Sequence, residues 1–442
     1  MTTSGCRLDA PIDTANLTCD DGRCPDGFAC VDAHCLPDDD GPGAPCNPVS
    51  LIADDFESLT RQPQWAGAYQ FNGASAEQLN GRLRVTLPAA GNGPAYAGYA
   101  TKRYYDLRGR RIFVEVARMV DTASHAQALL QIIRTDGVSG ENAGFEQQNG
   151  TLTMFTHAGG REVKASVPYD ALAHRFWQLR ERDGTLLFET SPDGHAWTER
   201  GRLAAPFDVS LVRVELSAGV FQGEASPGMA EFDGLNGGVS RGRYCKVAKL
   251  VDDFDDGVRD QRWARSYEMG PCKTHETGGV FVGEPPQPAD APGYCAYASA
   301  AAYDLTASQL AVEVVEMIDT APDSPGIAYF KVSASDGARG LEMVEEQGAI
   351  KCRQWIDYSP VVLGQRAWDA SKHRFWKLAE RAGEISWQTS PDGSAWTTLC
   401  TAPTSSVDVD DLEVEIGVGI TFSARPGQPL GRFRVDRLNL LP

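Results

Sequence analysis

Four glutamates are the first groups in this 442-residue chain whose types and placement could do chemistry. Glu115 and Glu215 stand in stretches that alternate apolar and polar residues, and Glu313 and Glu415 stand in matching stretches further on. Two carboxylates held at a fixed separation can act as nucleophile and proton donor on a glycosidic bond. Here the alternation itself (Ile112, Val114 and Val116 against Phe113, Glu115 and Ala117) puts such glutamates on the solvated face of a strand, so catalysis is not expected of them. His174 and His373 each precede Arg-Phe-Trp, with no Gly-x-Ser-x-Gly elbow and no reactive-cysteine setting, and read as hydrogen-bonded structural histidines. No glycine-rich phosphate loop opens a helix, so a nucleotide finds no cradle.

Aromatic residues are the second informative set, because a ring covers the apolar face of a pyranose while polar neighbours bond its hydroxyls. Trp65, Trp177 and Trp197 recur as Trp263, Trp376 and Trp396, and are expected to fill the space between sheets. Tyr96 with Tyr99, and Tyr294 with Tyr297, form a Tyr-x-x-Tyr unlike a pure core strand and able to turn a ring outward. Trp355, Tyr358 and Trp368 lie in or near a loop-like stretch, IDYSPVVLGQRAW, where a binding face could be built.

These residues belong to a duplicated element. Asp54-Asp55-Phe56, Trp65-Ala66, Tyr69 and Asp121-Thr122 all recur 198 positions later. His174-Arg175-Phe176-Trp177 and Thr190-Ser191-Pro192-Asp193-Gly194 with Trp197 recur after 199. The chain therefore divides into a Cys-rich segment and linker (1–47), a first copy (48–238), a short linker (239–247) and a second copy (248–442). Each copy is long enough to own a core. Period-two apolar patterns recur through both, Ser-Pro-Asp-Gly supplies a hairpin turn, and no helix-spaced stripe runs between capping signals, so an all-β chain is expected. Trp355, Tyr358, Trp368 and Trp387 stand where the first copy has other residues, which makes the second copy the expected ligand carrier.

The eleven cysteines are densest at the N-terminus, where Cys19, Cys24, Cys30 and Cys35 lie among Asp, Gly and Pro that cannot build a core. Their C-x4-C-x5-C-x4-C spacing lacks the close pairs of a zinc site, so disulfides and an oxidising compartment are expected, with connectivity open. Cys272 and Cys295 face Ala74 and Ala97 of the first copy, as bridge partners gained together would. Cys352 with Cys400, and Cys46 with Cys245, are the other expected pairs. The net charge of −19 disfavours a nucleic acid and an anionic membrane surface as partners.

The Cys-rich segment, with its CPDGF core, resembles the lead segments of bacterial surface lipoproteins. That resemblance makes Ser4-Gly5-Cys6 the tail of a lipobox and Cys6 a lipidated anchor at the cell surface. Each copy resembles a concanavalin A-like jelly roll of the laminin-G and lectin/glucanase type, on its Asp-Asp-Phe opening strand, His-Arg-Phe-Trp strand, Ser-Pro-Asp-Gly hairpin and closing Leu-Asn. The resemblance implies two tandem β-sandwiches and a structural calcium near the chain ends, with Asp54 or Asp55 and Asp233, and Asp252 or Asp253 and Asp436, as ligands. Glucanases of this architecture carry a Glu-x-Asp-x-x-Glu strand that neither copy shows. The expected function is therefore binding of a polysaccharide or glycoconjugate outside the cell without turnover. A structural or adhesive protein with another surface protein as partner is the alternative, and a glycoside hydrolase is less favoured.

Overall fold

The computed structural model describes residues 46–66, 69–89, 94–120, 125–134, 140–287, 292–319, 324–334, 337–420 and 430–440, and the backbone of 28–31 and 34–37. In the latter, Phe28–Val31 pairs antiparallel with His34–Pro37 and sets Cys30 opposite Cys35. Cys6, Cys19, Cys24 and the side chains of Cys30 and Cys35 lie outside the described residues, and with them the lipidation and the N-terminal bridges.

Strands and short 3-10 turns make up the rest, as the period-two pattern requires, and no described helix is long and apolar enough to cross a membrane. The first copy is a sandwich of two seven-stranded sheets. Its front sheet runs Arg161–Pro168, Thr151–His157, Glu141–Gln148, Ala126–Arg134, Arg213–Val220, Ala95–Ala100, Tyr69–Phe71. Its back sheet runs Thr198–Ala204, Thr185–Ser191, Phe176–Arg182, Arg111–Arg118, Met229–Asp233, Leu83–Thr86, Ser75–Gln78. In the second copy the front sheet runs Ser359–Ala367, Ala349–Ile356, Gly340–Glu346, Gly326–Ala334, Leu412–Ile420, and Gly293–Ala298 pairs beyond that. Its back sheet has the seven-strand order of the first. Alternate residues such as Ile112, Val114, Val214 and Leu216 are fully buried between the sheets, which is why the strands hold this register: a one-residue slip would turn the apolar set to water.

The repeated motifs turn out to be scaffold. Asp54 Oδ1 accepts the Phe56 N–H (2.8 Å) while Oδ2 accepts the Trp65 indole N–H (2.7 Å). This clamp holds Phe56 at φ 54°, a region bulky residues rarely visit, and stacks its ring 6.2 Å from Trp65. Asp252, Phe254 and Trp263 repeat it, with bonds of 2.9 and 2.7 Å and φ 54°. His174 Nδ1 accepts the Asp170 N–H at 3.1 Å, and its carbonyl accepts the Trp177 indole N–H at 3.0 Å. His373 does the same with Asp369 and Trp376. In the hairpin turn, Asp193 accepts from His195 and Ala196 N–H, which pulls its carboxyl down to about 2.

The copies are joined by more than the linker. Cys46 and Cys245 form a disulfide with Cα atoms 4.8 Å apart, and Asn47 Oδ1 accepts the Cys245 N–H. Arg103 of the first copy is almost fully buried against Asp411 of the second, and the Tyr104 N–H reaches the Ala300 carbonyl at 3.1 Å. Cys272–Cys295 and Cys352–Cys400 bridge within the second copy, Cα separations 5.5 and 6.6 Å, so all three expected pairs are formed.

Candidate functional site

The register of the second front sheet brings four charged side chains into one line across adjacent strands. Glu415 lies opposite Lys331, Lys331 opposite Glu342, and Glu342 opposite Arg353. Directly opposed residues on neighbouring strands share a face and sit close enough to interact. The first copy carries Glu215, Gln131, Gly144 and Phe155 in the equivalent line. One copy thus has an alternating charged row on its outer front face and the other has a single carboxylate.

Around the row the bonding is dense. Glu342, 3% exposed, accepts the Trp355 indole N–H on Oε2 at 3.2 Å and lies 3.5 Å from Arg353 Nη1. Arg353 also bonds Glu346, which Lys351 Nζ reaches at 2.8 Å. Lys331 Nζ stands 4.6 Å from the centroid of the Trp355 ring, and Arg265 pairs with Glu413. The Tyr267 and Tyr329 hydroxyls share a 2.8 Å hydrogen bond, with Glu415 3.5 Å from Tyr267. Burial holds the carboxyls of both Glu342 and Glu415 above the usual carboxylate range, against the pull of Arg353 and Lys331. In the first copy Glu215 Oε1 instead takes three neutral donors at 2.8 Å each, from Tyr69, Gln131 and Ser217.

Glycines make the floor on which tyrosine rings rest. A Cβ at Gly219 would collide with the Tyr96 ring, and one at Gly419 with Tyr294. Both tyrosines stay partly exposed on the front face. With a spacing of three, Tyr99 and Tyr297 fall on the opposite face of their strands and are buried beside Trp65 and Trp263 (ring centroids 5.6 and 5.7 Å), so the expectation that they contact ligand is corrected.

Other expected site residues are redistributed too. Trp355 is on the front face, but Ser359–Ala367 is a strand paired with Ala349–Ile356, not a loop. Tyr358 is 68% exposed at the hairpin tip. Trp387 is buried with its indole N–H on the Glu342 carbonyl and cannot present a ring to ligand, whereas Trp368 is half-buried, edge-on to Trp376 at 5.9 Å and beside His373 at 5.5 Å. Trp197 and Trp396 do not fill the core: both are half-exposed, against Phe113 and under Lys377. Glu115 and Glu313 belong to back sheets and Glu215 and Glu415 to front sheets, so a sandwich thickness of about 10 Å between sheets separates each pair. Glu115 instead pairs with Arg175 at 2.7 Å, and Glu313 with Arg374.

For the expected calcium ligands, Asp54 and Asp252 have both oxygens engaged by the clamp. Asp55 and Asp253 each cap a turn N–H, Asp233 lies 3.8 Å from Arg82, and Asp436 accepts the Arg437 N–H. Among the described residues no group of three or more His, Cys, Asp or Glu is placed to hold a metal ion.

Sequence reasoning missed Lys331, Glu342, Arg353, Tyr267 and Tyr329. The signal was present: in GIAYFKVSA, GLEMVEE and AIKCRQWI, charged residues interrupt strands that are otherwise apolar, at positions the first copy fills with Gln, Gly and Phe.

No family model and no curated protein matches the chain. Solved structures do. A glycoside hydrolase family protein from Mycobacterium thermorestibile is 14% identical with TM-score 0.34, over 42% of this chain and 98% of its own. A laminarinase from a Flavobacterium species (8% identity, TM-score 0.32) and a glycoside hydrolase family 16 endo-glucanase from Bacteroides ovatus (10%, 0.32) cover 42% of this chain and 97% and 98% of theirs. That coverage is about one copy. The likeness is one of fold, and these neighbours are enzymes by name. It overturns the expectation that the chain is not an enzyme: a jelly roll lacking the Glu-x-Asp-x-x-Glu pattern gives no ground for excluding turnover.

Proposed function

We propose that the protein recognises a polysaccharide or surface glycoconjugate, and that the front face of the second copy is its ligand face. The observation that carries this reading is that one face holds two partly exposed rings, Tyr294 and Trp355, with a row of alternating carboxylates and cations between their strands. Rings stack on sugar faces and the partly exposed Lys331 donates to hydroxyls, while the buried Glu342 and Arg353 lie beneath, Glu342 holding the Trp355 indole. The three cysteine pairs support a place outside the cell, where such bridges persist, and a lipid on Cys6 belongs to the same proposal.

The test is a glycan array with the intact oxidised chain, followed by titration of the best binder and a reducing-end assay on the same polysaccharide. Trp355→Ala should weaken binding by roughly several-fold or more, since a stacked ring contributes on the order of 1 kcal/mol beyond its area. The reducing-end assay reports whether the face also turns its ligand over. An array with no glycan above background, or undiminished affinity in the Trp355 variant, would remove the site from this face.

A further inference from the structure

The hairpin made by Ala349–Ile356 and Ser359–Ala367 does something its counterpart in the first copy cannot. Ser359–Ala367 ends the front sheet and, among the described residues, pairs with Ala349–Ile356 alone, so its outer backbone edge is open. The side chains along it are apolar and exposed: Val361 43%, Val362 46% and Leu363 38%, with Ile356 and Tyr358 at the tip. An open, uncharged edge is a template for another strand, and soluble proteins ordinarily blunt such edges with charge. The first copy is blunted in that way. Its edge strand Arg161–Pro168 carries Arg161, Glu162 and Lys164. In the second copy residues 356–367 hold one Asp and one Arg, Asp357 and Arg366. Pro360, near the strand start, removes one donor, and a bulge at Leu363 separates Val362 from Gly364 in the ladder with Ala349–Ile356, so the open apolar edge is short and centred on Val361 and Val362.

The turn shows the same departure. The first copy makes it with Gly159 and Gly160 at φ 73° and 149°. The second places Asp357 and Tyr358 at φ 49° and 63°, a conformation unfavourable for a bulky side chain, and thereby mounts a tyrosine ring at the tip.

We infer that this edge pairs antiparallel with the same edge of a second molecule of this chain. The argument for that occupant is charge complementarity. The chain as a whole carries −19 and repels its own copies, yet this segment is neutral, with opposite charges toward its two ends. A two-fold axis at Val362 sets Val362 against its own copy and brings the Asp357 end of each edge toward Arg366 of the other, apolar and opposite-charge contacts that stabilise the pairing. The two front sheets then continue into one.

Sedimentation velocity on the intact oxidised chain across a wide concentration range tests this. The parent should show a concentration-dependent dimer. Val362→Lys and Val362→Glu each place like charges face to face at the axis and should weaken self-association by roughly tenfold. An equimolar mixture of the two should recover association beyond either alone, because unlike charges then meet. Since Val362 is exposed, both variants should keep the parent's thermal midpoint, which confirms that they fold. A parent that stays monomeric at every concentration overturns the proposal, as does dimerisation of the lysine variant equal to that of the parent, or a mixture no different from its components.

Discussion

At the position where the first copy has Gln78, the second has Glu276. Gln78 donates its amide to Asp54 Oδ2 at 3.3 Å, completing the clamp on Trp65. Glu276 faces Asp252, Asp256 and the Tyr297 hydroxyl, and burial first, then those neighbouring acids, pushes its carboxyl up to about 8. The front faces differ in the same sense. Glu215 is solvated by neutral donors, whereas Glu415 and Glu342 are balanced across Lys331 and Arg353. One backbone thus supports two electrostatic arrangements. At these two places the second copy holds charge where the first holds neutral donors, and its front sheet ends on an uncharged edge where the first ends on a charged one.

The shared part can be broken symmetrically. Trp65→Ala and Trp263→Ala each remove a buried indole and its hydrogen bond to an aspartate, Asp54 Oδ2 keeping the Gln78 amide, so each should destabilise its copy by about 3–5 kcal/mol in denaturant unfolding. If only one of the two variants lost stability, the clamps would not be equivalent.

A smaller effect separates the copies. The folded chain keeps the Glu276 proton up to about pH 8, whereas the unfolded chain releases it near the ordinary 4.5, so this group's contribution to stability falls as pH rises through that window and is flat above it. Glu276→Gln should be more stable than the parent by on the order of 1 kcal/mol at pH 9 and close to it at pH 4, read as the midpoint difference across pH. Gln78→Glu should import the loss into the first copy. A pH-independent difference for both would dissolve the contrast.

Smallest of all is the turn. Asp357→Gly replaces a left-handed non-glycine residue by the type used at the equivalent hairpin, and should stabilise the second copy by up to about 1 kcal/mol. Destabilisation would mean that the Asp357 side chain holds the tip.

Much of this architecture was written in local pattern. The repeat offset, period-two burial and Ser-Pro-Asp-Gly turn fix strands and hairpins through short-range sterics, and comparing the copies paired Cys272 with Cys295 because both change together. The three-residue spacing of Tyr96 and Tyr99 already required opposite faces, since a strand alternates. Whether a given face looked to water or to the core was not local. Trp387 became packing, Trp197 and Trp396 surface, and Glu115 and Glu215 ended on different sheets, because which strands share a sheet depends on contacts far apart in sequence. The charged row is the clearest case: Glu415, Lys331, Glu342 and Arg353 come from four separate strands, and only the pairing register aligns them. The sequence by itself determined an all-β duplicated chain and the pairs Cys46–Cys245, Cys272–Cys295 and Cys352–Cys400; the tertiary structure decided which residues meet on the front face, because register and sheet order are set by closing the core as a whole.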